Sequence, residues 1–242
     1  MTLAQRIPAS SFLGKAARIP LRLVPPGATV RVLRGPSKGA RWIVGSGVHA
    51  YWLGNHEPET IGFVMAALRP GDVFLDVGAN VGYFTLAASR RVGSAGRVIA
   101  FEPVPRNLDY LDRHVALNSL SNVEVVRAAV SDRTGSTRFD LGVDPSMGMV
   151  DEKGELEVAT VTLDDVLMRA GLSPRVVKID VEGHEPEVLR GAAEMLAGAT
   201  AAVTLSAWPK IAECVELLKG HGYTVDMVNS CELIALPPGW NR

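Results

Sequence analysis

The chain has 242 residues, 47% of them hydrophobic, and 25 lysines and arginines stand against 26 aspartates and glutamates, leaving a formal charge of −1. This length suits one large domain, or one domain with an arm, and the apolar content is enough for a full core. The balanced charge argues against recruitment of nucleic acid or an anionic membrane by a global field, and no apolar run reaches the ~18 residues of a membrane span.

Two cysteines, Cys214 and Cys231, lack metal-type spacing and read as reduced thiols of a cytoplasmic protein. Residues 1–27 carry basic side chains and no acids, without the apolar run of a signal peptide. They are expected to form a surface arm or a homodimer contact. "ATVRVLRGPSKGARWIVG" (28–45) predicts two short strands around a Gly/Pro/Ser turn. "HAYWLGNHE" (49–57) reads as irregular, which gives an arm over 1–57 ahead of a domain over 58–242. "PETIGFVMAALR" (58–69) predicts a helix with Pro58 in its first turn.

From residue 72 strands and helices alternate. Strands are predicted at "VFLDV" (73–77), "RVIAFEP" (97–103), "VEVVRAAVS" (123–131), "VVKIDV" (176–181) and "AAVTLSAW" (201–208). Helices follow at 82–92, 106–118, 185–196 and 209–220. Residues 133–161 interrupt the rhythm as a hairpin-like insertion. A helix over 162–171 then has Thr162 as its cap and Gly171 as its stop. "YTVDMV" (223–228) and "CELIALP" (231–237) form a closing antiparallel pair. The whole is an α/β, doubly wound, mostly parallel seven-stranded sheet with an antiparallel pair at its C-terminal end and a β-hairpin in its N-terminal arm. Such sheets bind ligands beyond the carboxyl ends of their strands.

"FLDVGANVGYFT" (74–85) places Gly78 and Gly82 between a strand and a helix. Glycine there either serves the tight turn or lets a ligand approach the backbone, and the helix N-terminus favours a carboxylate or phosphate. Glu102 ends the next strand, about 20 residues on, where an acid can accept from ribose hydroxyls. The pair predicts a nucleoside site. Asn80 stands where a dinucleotide loop wants glycine. This suits S-adenosylmethionine, whose ammonium an acid such as Asp76 can reach.

"DVGANVGYFTL", "VIAFEP" and "KIDVEGHEPEVLRGA" together resemble the FkbM-like branch of the S-adenosylmethionine-dependent class I methyltransferases, which have a Rossmann-like sheet. The resemblance covers roughly residues 58–208. It implies that Asp76, Gly78, Asn80 and Gly82 surround the methionyl part, that Thr85 helps to hold its carboxylate, and that Glu102 binds the ribose. Ala129 and Val130 would neighbour the adenine, or else be plain buried strand.

Asp180, Glu182 and His184 follow the fourth strand at a spacing of two, so an extended segment would put them on one side. Asp180 is the first candidate for the base that takes the acceptor's proton, and His184 the second. Two adjacent carboxylates would help His184 keep its proton. Glu185 and Glu187 suit the first turn of the helix that follows. The reading is metal-independent. The alternative is a divalent ion held by Asp180, Glu182 and His184. The resemblance implies an acid near the end of the fifth strand, and Ser206 stands in its place.

Trp52 and Glu57 are candidates for the acceptor pocket, with Trp208 closing it. Trp52 could equally join Tyr51 and His49 in packing the arm. Aromatic and acidic groups together suit a sugar or polyol. No asparagine–proline–proline–aromatic loop follows the fourth strand, which argues against nucleic-acid methylation. The expected activity is O-methylation of a hydroxyl on a secondary metabolite, sugar or glycan. N- or C-methylation, and a non-catalytic S-adenosylmethionine-binding protein, are the alternatives. "DPSMGM" (144–149) is either a lid or a surface loop.

Overall fold

A computed structural model describes residues 24–141, 148–151 and 153–240 of the chain. Residues 1–23, on which the dimer-contact expectation rests, and 144–147, most of the expected lid, lie outside the described residues.

The two expected N-terminal strands, β1 (Thr29–Arg31) and β2 (Arg41–Ile43), pair antiparallel. The stretch read as irregular is instead a short helix, α1 (His49–Leu53). Gly54 ends it with a left-handed φ of 75°, and Tyr51 and Trp52 bury their rings on it. α2 spans Pro58–Ala67.

The alternating region opens with β3 (Val73–Val77), α3 (Tyr83–Val92), β4 (Arg97–Phe101), α4 (Pro105–Leu117) and β5 (Val123–Val126). The third strand ends sooner than expected. Ala129–Val130 forms a separate strand, β6, which belongs to a second sheet with β7 (Gly135–Asp140), β8 (Met149–Val150) and β9 (Leu156–Val161). β6 runs parallel to β9, and β7 and β9 form the antiparallel pair of the insertion.

α5 (Leu163–Ala170) is capped as expected. The Thr162 hydroxyl accepts from the Asp165 N–H at 3.0 Å, and Gly171 closes the helix at φ 62°. β10 (Val176–Asp180) follows. The helix expected over 185–196 is broken into α6 (Glu185–Arg190) and α7 (Ala193–Ala197). The break is tertiary: a Cβ on Gly191 would lie 2.0 Å from the Ser131 carbonyl oxygen. Asp164 then accepts from the N–H groups of Glu194 and Met195 and restarts the helix. β11 (Ala202–Ser206), α8 (Ile211–Gly220), β12 (Thr224–Met227) and β13 (Glu232–Leu236) complete the chain.

The main sheet has seven strands in the order β12-β13-β11-β10-β3-β4-β5. β11, β10, β3, β4 and β5 are parallel, and β13 runs antiparallel to both β11 and β12. Side chains alternate between its faces. Leu75, Ile99, Val177, Ile179, Val203 and Leu233 share one core with α5 to α8. Phe74, Val98 and Val176 share the other with α2, α3 and the aromatic residues Trp42, Tyr51 and Trp52. On this second face the apolar lining gives way to Asp76, Lys178 and Thr204 and, one step further on, to Asp180, Ser206 and Glu232. The cross-strand register puts each set in a row. Strand order reverses between β3 and β10, so the polar rows lie at the switch point, where α/β sheets open a crevice. Among the described residues no helix is long and apolar enough to cross a membrane.

Candidate active site

A cleft opens beyond the ends of β3, β4 and β10. Its floor is the glycine turn. Gly78 has φ 75°, and a Cβ on it would stand 1.9 Å from the Asp180 carbonyl oxygen. The close neighbour that demands glycine is thus the end of β10. Asn80 adopts φ 51°, and its N–H donates to Glu102 Oε2 at 2.9 Å. The other oxygen of Glu102 accepts from the Val104 N–H at 2.9 Å and the Asn107 amide at 3.3 Å. Glu102 is 4% exposed, and burial pushes its carboxyl pKa up despite these donors. Gly78, Asn80, Glu102, Ala129 and Val130 all line the cleft.

Asp76, Gly82 and Thr85 lie beneath it and are not part of its lining. The Thr85 hydroxyl, expected to meet a cofactor carboxylate, is committed to Asp76 Oδ2 at 2.5 Å. Asp76 is fully buried, and its Oδ1 has no hydrogen-bond partner among the described residues. Burial raises its pKa. Gly82 caps α3 at φ 92°, where a Cβ would meet Leu111 at 2.6 Å.

The lysine in "VVKIDV" is a site residue that the sequence reading passed over. Lys178 Nζ donates to the Gly78 carbonyl at 2.9 Å and lies 3.4 Å from Asp180 Oδ2 and 3.8 Å from Asp76 Oδ1. Burial opposes its charge, yet Asp180, Asp76 and Glu57 outweigh burial and hold its pKa above the ordinary lysine value. Its signal was available: a charge inside an apolar strand, two residues before an acid and hence on the same face.

Asp180, Glu182 and His184 all line the cleft, but not as one extended segment. Glu182 at φ 52° and Gly183 at φ 92° turn the chain sharply. Glu185 holds that turn. It is fully buried, and its Oε1 accepts from the N–H groups of Val181 and Gly183 at 3.2 and 2.9 Å. Burial, then the charges of Asp180 and Glu185, raise the Glu182 pKa. His184 departs from expectation: burial lowers its pKa against the pull of Glu187 and Asp132. Its Nε2 is 2.9 Å from the Ser131 hydroxyl. Among the described residues no three His, Cys, Asp or Glu side chains converge as a set that could hold a metal ion.

Of the expected acceptor residues, Glu57 lines the cleft, and His56 Nε2 stands 2.7 Å from its carboxylate. Burial would raise the Glu57 pKa, but the His56 hydrogen bond and the charges of His56 and Lys178 bring it down. Trp52 does not line the cleft. It is 6% exposed within the core, its indole N–H donating to His49 Nδ1 at 3.1 Å. Tyr51 faces the cleft instead, stacked on Tyr83 at 5.3 Å with His56 edge-on to both. Trp208 is 73% exposed and is not part of the cleft's lining.

A narrow polar recess shares Glu57, Lys178 and Asp180 with the cleft and continues over Thr60, Thr204, Ser206 and Glu232. Register puts Ser206 between Asp180 and Glu232. An acid thus stands beside the serine after all, carried by β13. Burial, then the charge of Glu57, raises the Glu232 pKa. A register between two distant strands leaves no mark in the sequence, so Glu232 could not be found there.

Residues 76–225 match the family model of the methyltransferase FkbM domain. A hexuronic acid methyltransferase, AglP, of Haloferax volcanii is 30% identical over 138 residues, 56% of this chain and 56% of that protein. The 31-O-demethyl-FK506 methyltransferase FkbM of Streptomyces tacrolimicus is 30% identical over 207 residues, 65% of this chain and 75% of that protein. The solved structure of a methyltransferase FkbM from Methylobacillus flagellatus shares the fold, with a TM-score of 0.51 and 17% identity over 75% of this chain and 51% of that one. The chain therefore spans about half the length of the Haloferax protein and of the Methylobacillus structure. With the family model covering more than half of its residues, the chain belongs to the FkbM methyltransferase family.

Proposed function

We propose that the protein transfers a methyl group from S-adenosylmethionine to a hydroxyl of a small molecule, sugar or glycan. The observation that carries this reading is the cleft itself. It lies at the switch point, with the Glu102 carboxylate at one end and Asp180, anchored on Lys178, at the other.

The residues present fit that donor. Glu102 accepts from three donors and keeps about one acceptor site, on Oε2, for a ribose hydroxyl. Ala129, Val130 and Phe139 offer an apolar wall for a base. Tyr83 and Phe84 begin α3 on the cleft wall, where first-turn N–H groups lack intrahelical partners and favour a carboxylate. Glu57, Asp180 and Glu182 give the cleft the negative character that suits a cation. The donor supplies an already electrophilic methyl group. The chain's part is to align the acceptor and take its proton. Alignment contributes roughly 7–11 kcal/mol in favourable cases, and a placed base about 10²- to 10⁴-fold. Asp180 is the proposed base, because it faces the cleft and is held at one oxygen by Lys178.

Glu57, Asp180 and Glu182 on the cleft lining support a hydroxylated acceptor, since their carboxylates call for several donors. Two relatives, a hexuronic acid methyltransferase and a 31-O-demethyl-FK506 methyltransferase, are in keeping with an oxygen acceptor. The test is a calorimetric titration of S-adenosylmethionine, with NAD as control and Glu102→Ala beside the wild type. Micromolar binding of the methyl donor alone, lost in the variant, is expected. Absence of binding to the wild type would sink the proposal.

A further inference from the structure

Lys178 is not required by the methyl-transfer reading as a reactant, yet it is a costly side chain to bury. It is 5% exposed at the centre of the sheet, and lysine is rarely enclosed unless its charge is matched. Its ammonium donates a hydrogen bond to the carbonyl of Gly78 and faces two carboxylates as ion pairs, Asp180 at the strand end at 3.4 Å and the buried Asp76 on the neighbouring strand at 3.8 Å. The Phe84 ring lies 5.3 Å from Nζ. Other elements turn titratable groups toward the same charge: Tyr51 on α1, Glu57 ahead of α2, Glu102 beyond β4 and Glu182 beyond β10. Glu232 of β13 shares the recess that Lys178 also lines.

Like charges held this close repel unless a cation lies between them. Asp180 is a strand-end side chain with about a third of its surface exposed, and free rotation would carry its carboxylate away from the cleft. We infer that Lys178 is a positioning residue: its ammonium locks the Asp180 carboxylate against the glycine turn and supplies a positive charge that the surrounding acids share. The inference rests on the methyl-transfer reading above. Through Gly78, the same ammonium ties the donor-binding turn to the proposed base, so the two ends of the cleft keep a fixed separation.

If Lys178 is removed, Asp76 and Asp180 face each other without a counter-charge, which favours uptake of a proton by the pair. A cationic ligand entering the cleft then has to expel that proton. The test titrates S-adenosylmethionine by calorimetry into wild type, Lys178→Met and Lys178→Met/Asp180→Asn. Titrations run from pH 6 to 9 in two buffers of different ionisation enthalpy, so that proton release is read beside affinity. Lys178→Gln serves as the second variant should the methionine variant fail to fold.

The wild type is expected to show only the pH dependence and proton exchange of the ligand's own α-amino group, which titrates at about 8, and the variants are read against that baseline. The single variant should release about one proton per ligand, its affinity rising about tenfold per pH unit below the new midpoint. The double variant should lose that dependence. A single variant weakened evenly at every pH would overturn the inference, because lost packing alone would explain it. So would a pH dependence that survives in the double variant, because the proton would then belong to Asp76 or Glu57. Failure of the wild type to bind S-adenosylmethionine at all would instead remove the methyl-transfer reading and this inference with it.

Discussion

His114 gives the sharpest test of how the N-terminal segment is joined to the glycine turn. It is 1% exposed and stacked on Trp42, with ring centroids 3.9 Å apart. The Ile43 N–H donates to its Nε2 at 3.0 Å. A backbone N–H can only donate, so Nε2 is the unprotonated nitrogen. Nδ1 therefore carries the proton and donates it to the Val81 carbonyl at 2.8 Å. The neutral ring bridges β2 to the turn, and a second proton would break the bond to Ile43.

Burial is the main reason that the His114 pKa is pushed down to about 4 from 6.5. The Val81 bond works against this and Arg113 adds to it. At about 1.4 kcal/mol per unit, the shift corresponds to about 3 kcal/mol. The sign follows from proton binding. Below pH 6.5 the unfolded chain takes up a proton that the folded chain refuses until about pH 4, so stability is full above 6.5 and falls through that window. Against a typical total of about 5–15 kcal/mol this is a large share.

The perturbation is His114→Phe, which keeps an aromatic ring against Trp42 and removes both hydrogen bonds. Leaving Ile43 N–H and Val81 C=O buried and unpaired should cost about 2–6 kcal/mol at pH 7. The decisive quantity is the difference between variant and wild type in urea unfolding at pH 7, 5.5 and 4. It should shrink by about 3 kcal/mol across that range, because only the wild type carries the titrating ring. The buried acids Asp76, Glu102 and Glu185 have raised pKa values. They contribute with the opposite sign, but equally in both proteins, and cancel. Parallel stability curves would refute the reasoning.

Three further outcomes are expected. Gly78→Ala should destabilise by more than about 2 kcal/mol and abolish donor binding, since the new methyl would enter the Asp180 carbonyl at a backbone φ of 75°; thermal unfolding and calorimetry check both. Glu102→Gln turns an amide donor toward the N–H groups of Asn80 or Val104, and should cost about 1–3 kcal/mol in urea unfolding. Trp208→Ala should leave the melting temperature within the change expected for about 0.5 kcal/mol, because the side chain is 73% exposed and outside the cleft.

The architecture was legible because its signals are local. Alternating strand and helix patterns, the Thr162 cap and the Gly171 stop each rest on neighbours within a few residues. The departures have non-local causes. The third strand breaks after Val126 because Ala129 and Val130 pair with β9 across the insertion. The helix over 185–196 breaks because the Ser131 carbonyl occupies the space of a side chain at Gly191. Which aromatic residue meets the cleft depended on seeing that 49–53 is helical. The helix turns Tyr51 inward and gives Trp52 to His49. His184 was read from its charged neighbours in sequence, whereas burial governs its proton.

The glycine turn shows how a correct location can follow from an incomplete cause. The sequence pattern suggested that something lies close to the backbone at Gly78, and something does: the Asp180 carbonyl. The contact is internal, yet it is not incidental to the site. The residue whose backbone forbids a side chain at Gly78 is the one whose carboxylate faces the cleft, and Lys178 bonds to the carbonyl of that same glycine. Donor turn, cation and carboxylate are therefore one mechanical unit across β3 and β10. A substitution at any of the three must move the other two, so Gly78→Ala and Lys178→Met should both disturb Asp180 by opposite routes. The first pushes the end of β10 away from the turn, and the second releases the carboxylate while leaving the backbone in place. Thermal unfolding should separate them, with the glycine variant losing stability at every pH and the lysine variant doing so most at higher pH, where the buried Asp76 is ionised without its counter-charge.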